Sequence, residues 1–186
     1  YAYEGSITAS VHFDYFPFTI TNECLTAAEI LLNVSGIAEY DFWRAERELG
    51  LLGVDESVLP RPFATLSNGE KTKLLLAALF LKENNFLLID EPTNHLDRRR
   101  LVAKYLKSKR GFILVSHDRA FLDECIDHVL SINRSTIEVI HGNYSSWQRE
   151  KTRRDDYERG ENSRLTAEIA NLRNAADRIA SWSDKI

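Results

Sequence analysis

Residues 86–91 read Phe86-Leu87-Leu88-Ile89-Asp90-Glu91, four apolar side chains followed directly by two acidic ones. A short run that is apolar throughout is typical of a parallel strand buried on both faces of a sheet. Two adjacent carboxylates at the end of such a strand are costly unless a cation lies beside them. Asp90 is therefore suited to holding Mg²⁺, commonly through water, and Glu91 to orienting or deprotonating an attacking water molecule. The alternative is an ordinary strand that ends in two acids.

The regions flanking this strand predict an α/β fold. A second apolar run at residues 112–115 suits another buried strand, and residues 98–109 predict the helix between the two, which makes a β-α-β unit. Alternation of apolar with small or polar residues over 7–13 predicts a further strand. Residues 129–132 and 137–140 predict a closing hairpin.

Residues 24–82 predict a helical subdomain. Asp41 is expected to cap its second helix, which should end near Gly50. The third helix begins in Leu66-Ser67-Asn68-Gly69-Glu70, where the serine and the glutamate have the spacing of a capping box. A helix N-terminus with a glycine also allows backbone N–H groups to meet a phosphate. The run therefore either starts an ordinary helix or binds phosphate.

The C-terminal part of the chain predicts one long helix, because residues 146–186 contain no proline and a single glycine. Its apolar side chains recur in steps of four, three, four, three and seven. This spacing is a heptad seam, which predicts packing against a partner helix. The seam consists of Leu165, Ile169, Leu172, Ala176, Ile179 and Ile186. The densest basic group is the best candidate for contacts with an RNA backbone, although a solvated helix face would look the same. This group comprises Arg149, Lys151, Arg153 and Arg154.

Composition restricts the class of protein. The net charge of −4 gives no general basic footprint for nucleic acid. No apolar run approaches the roughly 18 residues that cross a bilayer, and no signal peptide is visible. Cys24 and Cys125 lie far apart and outside any C-x-x-C pattern, which favours free thiols in a reducing compartment. We therefore expect a cytoplasmic protein whose present chain has no membrane domain.

Together these motifs resemble the ABC-F family of ATPases. The resemblance includes the signature run at 66–70, the strand with its two acids, the D-loop-like Thr93-Asn94-His95-Leu96-Asp97, and Ser116-His117-Asp118-Arg119-Ala120-Phe121-Leu122-Asp123. Transporter ATPases more often carry Ser-Ala where this chain has Asn94-His95, so the pair favours ABC-F.

The resemblance implies an ATP site with Mg²⁺. Glu91 and His117 would be catalytic, with His117 as the switch histidine that donates a hydrogen bond to the γ-phosphate, and Asp90 would hold the metal. Residues expected to bind the nucleotide are Ser67, Asn68, Gly69, Glu70 and Asp97. Asn68 replaces a glycine that most members have, and asparagine tolerates the same unusual backbone angles.

Two departures from the family pattern stand out. The printed chain contains no G-x-x-x-x-G-K-[ST] phosphate loop. Phe18, in Tyr15-Phe16-Pro17-Phe18, occupies the position where the family usually has the glutamine that touches Mg²⁺ and the attacking water. The second departure predicts slow hydrolysis.

The resemblance implies an ABC ATPase domain lacking the Walker A segment at 1–143 and an interdomain linker helix at 144–186. Expected partners are a second ABC domain of the same polypeptide and the ribosome, whose rRNA and tRNA the linker would contact; no membrane partner is expected. The end Ala180-Ser181-Trp182-Ser183-Asp184-Lys185 looks like the linker of the lincosamide, pleuromutilin and streptogramin A resistance type. The predicted function is ribosome protection from antibiotics by an ATPase.

Other functions remain open at this point. A transporter ATPase subunit or a general translation factor would use the same chemistry. An SMC-like DNA-structure protein also joins an ABC head to a coiled coil, but there the coil precedes the signature half. The chain taken alone would be an inactive fragment.

Overall fold

A computed structural model describes residues 5–6, 8–93, 99–133 and 136–183, with side-chain surroundings up to residue 174. The chain forms two compact units, residues 1–126 and 127–186.

The first unit contains a parallel three-stranded sheet in the order β1-β2-β3, with β1 at His12–Phe16, β2 at Asn85–Asp90 and β3 at Phe112–Val115. Helix α4 (Arg99–Lys107) connects β2 to β3, which confirms the predicted β-α-β unit. The predicted strand at 7–13 was wrong in its bounds, because pairing with β2 fixes β1 at its observed position. Residue 7 lies outside the described residues.

The two faces of this sheet differ in burial. One face packs Phe16, Leu87 and Ile89 into the core. On the other face the β1 and β3 side chains are between 42% and 55% exposed, namely Phe13, Tyr15, Ile113 and Val115, and Phe86 and Leu88 of β2 are partly exposed. The prediction that these strands are buried on both faces is therefore wrong within the described part of the chain. The apolar runs fit a strand that is covered twice, whereas the described helices cover only one face.

Three helices lie between the strands β1 and β2. They are α1 (Ala27–Ser35), α2 (Phe42–Leu51) and α3 (Asn68–Leu81). Both α1 and α2 contact α3. Helix α3 buries nearly every side chain of its second half, so it forms the centre of this group of helices.

The observed ends of these helices agree only in part with the caps that the sequence predicts. Ser67 caps α3 through a complete capping box, as the sequence predicts. Asp41 precedes α2 but makes no side-chain cap, because its backbone already belongs to a 3-10 turn rather than to the extended conformation of a capping residue. Gly50 lies inside α2, and Gly53 with φ of 61° makes the turn after it.

A buried carboxylate ties α2 to α4. Glu48 is 3% exposed and accepts hydrogen bonds from the Tyr105 hydroxyl, at 2.7 Å, and from the Lys109 ammonium group. Burial alone would raise the pKa of Glu48, but the hydrogen bonds from Lys109 and Tyr105 outweigh it and hold this pKa below its ordinary value. The same burial raises the pKa of Tyr105.

Helix α5 (Arg119–Cys125) ends the first unit. Burial raises the pKa of the Cys125 thiol to about 12, so this cysteine behaves as an inert core residue. The second unit contains an antiparallel hairpin, β4 (His128–Ile132) and β5 (Ile137–His141), which confirms the predicted one.

Helix α6 (Tyr144–Ser183) follows the hairpin. The heptad positions Leu165, Ile169 and Leu172 are exposed on it, so their apolar side chains are available to a partner helix. The remaining positions of the seam lie outside the residues whose side chains are described. None of the described helices combines the length and the apolar character that a membrane span requires.

Candidate functional site

The two acids lie at the carboxyl end of β2, at the edge where parallel sheets commonly bind ligands. Strand β2 ends at Asp90, and Glu91 follows it with φ of 46°. Its backbone N–H donates a hydrogen bond to the Val115 carbonyl at 2.9 Å, so β3 holds this residue in a conformation that side chains other than glycine rarely adopt. Such backbone outliers concentrate at functional sites, where the surrounding structure enforces them.

The Glu91 carboxylate is held at both oxygens. Oε1 accepts a hydrogen bond from the His117 backbone N–H at 2.7 Å, and Oε2 accepts one from the Ser116 hydroxyl at 3.2 Å. The His117 imidazole lies with Nε2 3.8 Å from Glu91 Oε1, and its side chain is 99% exposed against 24% for Glu91. The structure thus fixes the orientation of the carboxylate and leaves the imidazole open to a ligand. We call this arrangement of Glu91, Ser116 and His117 the Glu91 clamp.

The loop that carries the clamp is itself anchored. The Asp118 carboxylate caps α5 by accepting a hydrogen bond from the Phe121 N–H, and it forms an ion pair with Arg99 at 2.9 Å. These contacts, the bond from Phe121 foremost, hold the pKa of Asp118 below its ordinary value. The Asp118 N–H in turn donates to the Ser116 hydroxyl at 3.2 Å. The side chains around Glu91 are therefore positioned by the start of a helix.

Asp90 lies on the open face of the sheet, beside β1. The Tyr15 hydroxyl donates a hydrogen bond to Asp90 Oδ2 at 3.0 Å, and this bond raises the pKa of Tyr15. No cluster of three or more His, Cys, Asp or Glu that could hold a metal occurs among the described residues. A single carboxylate still suits Mg²⁺, which is commonly bound by one or two carboxylates together with substrate phosphates and water.

The signature run forms the N-terminus of α3. Glu70 Oε2 accepts hydrogen bonds from both the N–H and the hydroxyl of Ser67, each at 2.8 Å, and these bonds lower the pKa of Glu70. Arg61 lies 3.5 Å from the other Glu70 oxygen and donates to the Thr65 carbonyl at 2.8 Å. Ser67 and Asn68 are exposed, so this helix start is accessible to an anion.

Asn68 needs no unusual backbone angle, contrary to the expectation from the glycine it replaces. It is the first residue of α3, and the described residues other than glycine with positive φ are Asn84 and Glu91. A side chain at this position is therefore compatible with the helical backbone, and the substitution costs no strain there.

The predicted site residues fall into two groups. Asp90, Glu91 and His117 meet at the carboxyl ends of β2 and β3, whereas Ser67 to Glu70 lie at the start of α3. Among the described residues no hydrogen bond or ion pair joins the groups. Asp97 and the rest of its predicted loop at 94–97 lie outside the described residues. Phe18 is half-buried and packs against the core. Its side chain has no polar group to offer the site.

The basic residues predicted to contact RNA lie near the start of α6 and are all exposed. Arg154 pairs with Glu138 of β5 at 3.2 Å, Arg153 lies 3.6 Å from Glu150, and Lys151 lies over the Trp147 ring with its ammonium nitrogen 5.1 Å from the ring centroid. Exposed pairs of this kind are weak and leave the side chains able to exchange partners. An RNA contact through Arg149 and these neighbours stays a prediction.

Three residues that position the site were not among those predicted from the sequence. Ser116 stands within the run quoted for the resemblance, so its place after a buried strand and before the histidine was a usable signal. Tyr15 acts across the fold, on a residue 75 positions away, whereas Arg61 contacts Thr65 and Glu70 nearby in the chain; no motif in the sequence indicates either set of contacts.

Comparison with known proteins supports an ABC-type domain. A family model described as ABC transporter matches residues 10–94. The chain is 34% identical to a probable ATP-binding protein, YheS, of Escherichia coli K12, over 76% of this chain and 23% of that protein. It is 37% identical to the ribosome protection protein VmlR of Bacillus subtilis (67% and 23% covered) and 37% identical to the energy-dependent translational throttle protein EttA of Mycobacterium tuberculosis (62% and 22% covered). The chain thus spans less than a quarter of the length of these curated relatives.

Solved structures show the same fold. An ATP-binding subunit of an ABC transporter superposes with a TM-score of 0.58 at 24% identity, over 75% of this chain and 62% of that one. This likeness supports the mixed α/β fold of ABC nucleotide-binding domains and does not extend to activity.

Proposed function

We propose that this chain, which carries part of an ABC-type ATP-binding domain, comes from an ABC-F ATPase that acts on the ribosome. The observation that carries the proposal is the Glu91 clamp, which fixes a carboxylate at the carboxyl end of β2 and presents an open imidazole beside it. The 37% identity to a ribosome protection protein favours the ribosome as the partner.

The chemistry proposed for the site follows from where its side chains are held. Asp90 would hold Mg²⁺, and a metal held there would supply positive charge against the phosphates of ATP. Glu91, fixed by Ser116 and His117, orients the attacking water and accepts its proton at a carboxylate oxygen. The exposed His117 ring donates a hydrogen bond to a γ-phosphate oxygen as charge develops there.

The signature run would serve a second ATP site. The backbone N–H groups of Asn68 and Gly69 belong to the first turn of α3, where the unpaired N–H groups and the helix dipole favour a phosphate. Asp97 is the proposed contact to the facing domain. Because Ser67 and Asn68 are exposed, this helix start is accessible to ATP bound by a second ABC domain of the same polypeptide.

The proposed cellular role is protection of the ribosome from antibiotics in the cytoplasm. Helix α6 would be the interdomain linker, with Arg149, Lys151, Arg153 and Arg154 meeting rRNA or tRNA phosphates. A general translation factor is the alternative that EttA, named as a translational throttle, supports at equal identity. A transporter subunit is less well supported, since a long charged helix follows the hairpin directly.

The test is co-sedimentation of the full-length protein with ribosomes in the presence of ATP. We expect Glu91→Gln to be trapped on ribosomes because it binds ATP and does not turn it over, while the control Glu83→Gln, an exposed glutamate outside the site, behaves as the parent does. If neither the parent nor Glu91→Gln sediments with ribosomes under ATP, the ribosomal role is wrong.

A drug-challenge experiment separates the two ribosomal roles. Cells that express the intact protein should grow at higher concentrations of lincosamides or pleuromutilins, and Glu91→Gln should remove this protection. Unchanged drug tolerance together with ATP-dependent ribosome binding would favour the translation factor.

A further inference from the structure

We propose that Tyr15 is a positioning residue for the metal-holding carboxylate of Asp90. The inference rests on the proposed ATP site and adds to it a side chain from β1, an element to which neither the motifs nor the relatives assign this task. The observation that carries it is the hydrogen bond from the Tyr15 hydroxyl to Asp90 Oδ2 at 3.0 Å.

The sheet register places the two side chains on one face. Tyr15 pairs with Leu88, and residues paired in a parallel sheet share a face, as does Asp90, two positions further along β2. The hydroxyl must therefore reach diagonally across from β1 to the end of β2. A long aromatic side chain can span this diagonal neighbour distance, which shorter polar side chains cannot.

The other described neighbours of Asp90 on that face are apolar. They are Leu88, two positions back on β2, and Val115 and Ile113 on β3. Among the described residues the Tyr15 hydroxyl is the one side-chain donor to this carboxylate. Without it, the carboxylate could rotate freely about its last torsion.

The hydrogen bond gives the two oxygens of the Asp90 carboxylate different roles. Oδ2 is engaged by Tyr15, whereas no hydrogen bond to Oδ1 occurs among the described residues. A donor on one oxygen fixes the plane of the carboxylate, so the other oxygen is aimed at the cation or at its bound water. Partners of this kind orient metal ligands, and their loss typically costs metal affinity.

The turn after β1 brings no polar side chain from Phe18 to the metal-holding carboxylate. Phe18, which stands where a glutamine was expected to touch Mg²⁺, is half-buried against the core and has no polar atom in its side chain. Tyr15 is then the residue of β1 and its following turn that brings a polar group to the metal-holding carboxylate.

The experiment compares Tyr15→Phe with the parent in the full-length protein. The variant keeps the ring and removes only the hydroxyl, and Tyr40→Phe is the matched control, because Tyr40 is 84% exposed and lies outside the site. The probe is Mn²⁺, titrated in the presence of a non-hydrolysable ATP analogue and followed by electron paramagnetic resonance. Binding of the same analogue without metal is measured alongside.

We expect Tyr15→Phe to weaken Mn²⁺ binding about tenfold, the lower end of what loss of a ligand's hydrogen-bond partner costs. Metal-free binding of the analogue should stay unchanged, and Tyr40→Phe should match the parent in both. Tyr15→Leu should weaken Mn²⁺ binding as much as Tyr15→Phe does, because the hydroxyl and not the ring acts on Asp90.

Two results would overturn the inference. Mn²⁺ affinity of Tyr15→Phe within about twofold of the parent, well below the roughly tenfold or larger loss expected when such a partner is removed, would show that the hydroxyl does not orient Asp90. A loss seen only in Tyr15→Leu would assign Tyr15 a packing role. Failure of the parent itself to bind the analogue with Mn²⁺ would instead contradict the proposed ATP site, so the two failures are distinguishable.

Discussion

Replacing Ser116 by alanine tests whether the Glu91 clamp matters for turnover. The substitution removes the hydroxyl that donates to Glu91 Oε2 at 3.2 Å and leaves the bond from the His117 N–H at 2.7 Å in place. Glu91 would then be held at one oxygen and would sample more than one orientation. The perturbation is small and local, which makes its effect on the rate interpretable.

The expected magnitude follows from the strength of that bond. A hydrogen bond to a charged group contributes about 1.5–3 kcal/mol, and the length of this one together with the 24% exposure of Glu91 places it at the lower end. A loss of about 1.4 kcal/mol of transition-state stabilisation lowers a rate about tenfold. We therefore expect kcat of Ser116→Ala to fall about tenfold and KM for ATP to stay unchanged.

The assay is steady-state ATP hydrolysis by the full-length protein, with ATP affinity measured separately. Ser108→Ala is the control, because the Ser108 hydroxyl bonds the Tyr105 carbonyl at the end of α4 and touches no site residue. A kcat for Ser116→Ala that equals or exceeds that of the parent would refute the reasoning. It would mean that the hydroxyl does not hold the Glu91 carboxylate in a catalytic orientation.

Two further perturbations test the surroundings of the site. Because Glu48 has a lowered pKa in the folded protein, its contribution to stability is present above its unfolded pKa and is lost as the pH falls through the folded value. Glu48→Gln should flatten that acid limb. It should also lower the free energy of unfolding at neutral pH by about 2 kcal/mol, since it leaves Lys109 poorly paired. Chemical denaturation between about pH 3 and pH 7 measures both effects, and an unchanged acid limb would exclude this carboxylate as its cause. Ser67→Ala should cost about 1 kcal/mol by removing the α3 cap and should weaken ATP-dependent closure with the second domain, whereas denaturation indistinguishable from the parent would contradict the capping role.

Sequence predicts the parts of the fold and site that depend on residues close together in the chain. The start of α3 follows from a serine and a glutamate three residues apart, and the acids after β2 follow from the apolar run before them. The hydrogen bond between Tyr15 and Asp90 joins residues 75 positions apart, so no local sequence pattern predicts it. The left-handed backbone of Glu91 is likewise imposed by β3, through Val115, and not by its own sequence.

The open face of the sheet shows a second limit of sequence patterns. An apolar run indicates that a strand has apolar surroundings on both faces in the folded protein. It does not indicate which segment of the protein supplies those surroundings. The exposure of Ile113 and Val115 could not be deduced from the run, because the composition of β3 is the same whether or not that face is covered.

Helix α6 acts mechanically as a lever arm. Its 40 residues correspond to a rod about 60 Å long. At the start of the helix Asn143 Oδ1 accepts a hydrogen bond from the Ser146 N–H at 3.0 Å, and a Cβ at Gly142 would lie 2.6 Å from the Ser146 hydroxyl oxygen, so this position requires glycine. A rotation of about 10° at that base would carry the far end about 10 Å. Small angular changes near Gly142 thus become displacements of several ångströms at the far end, without any bending of the helix itself.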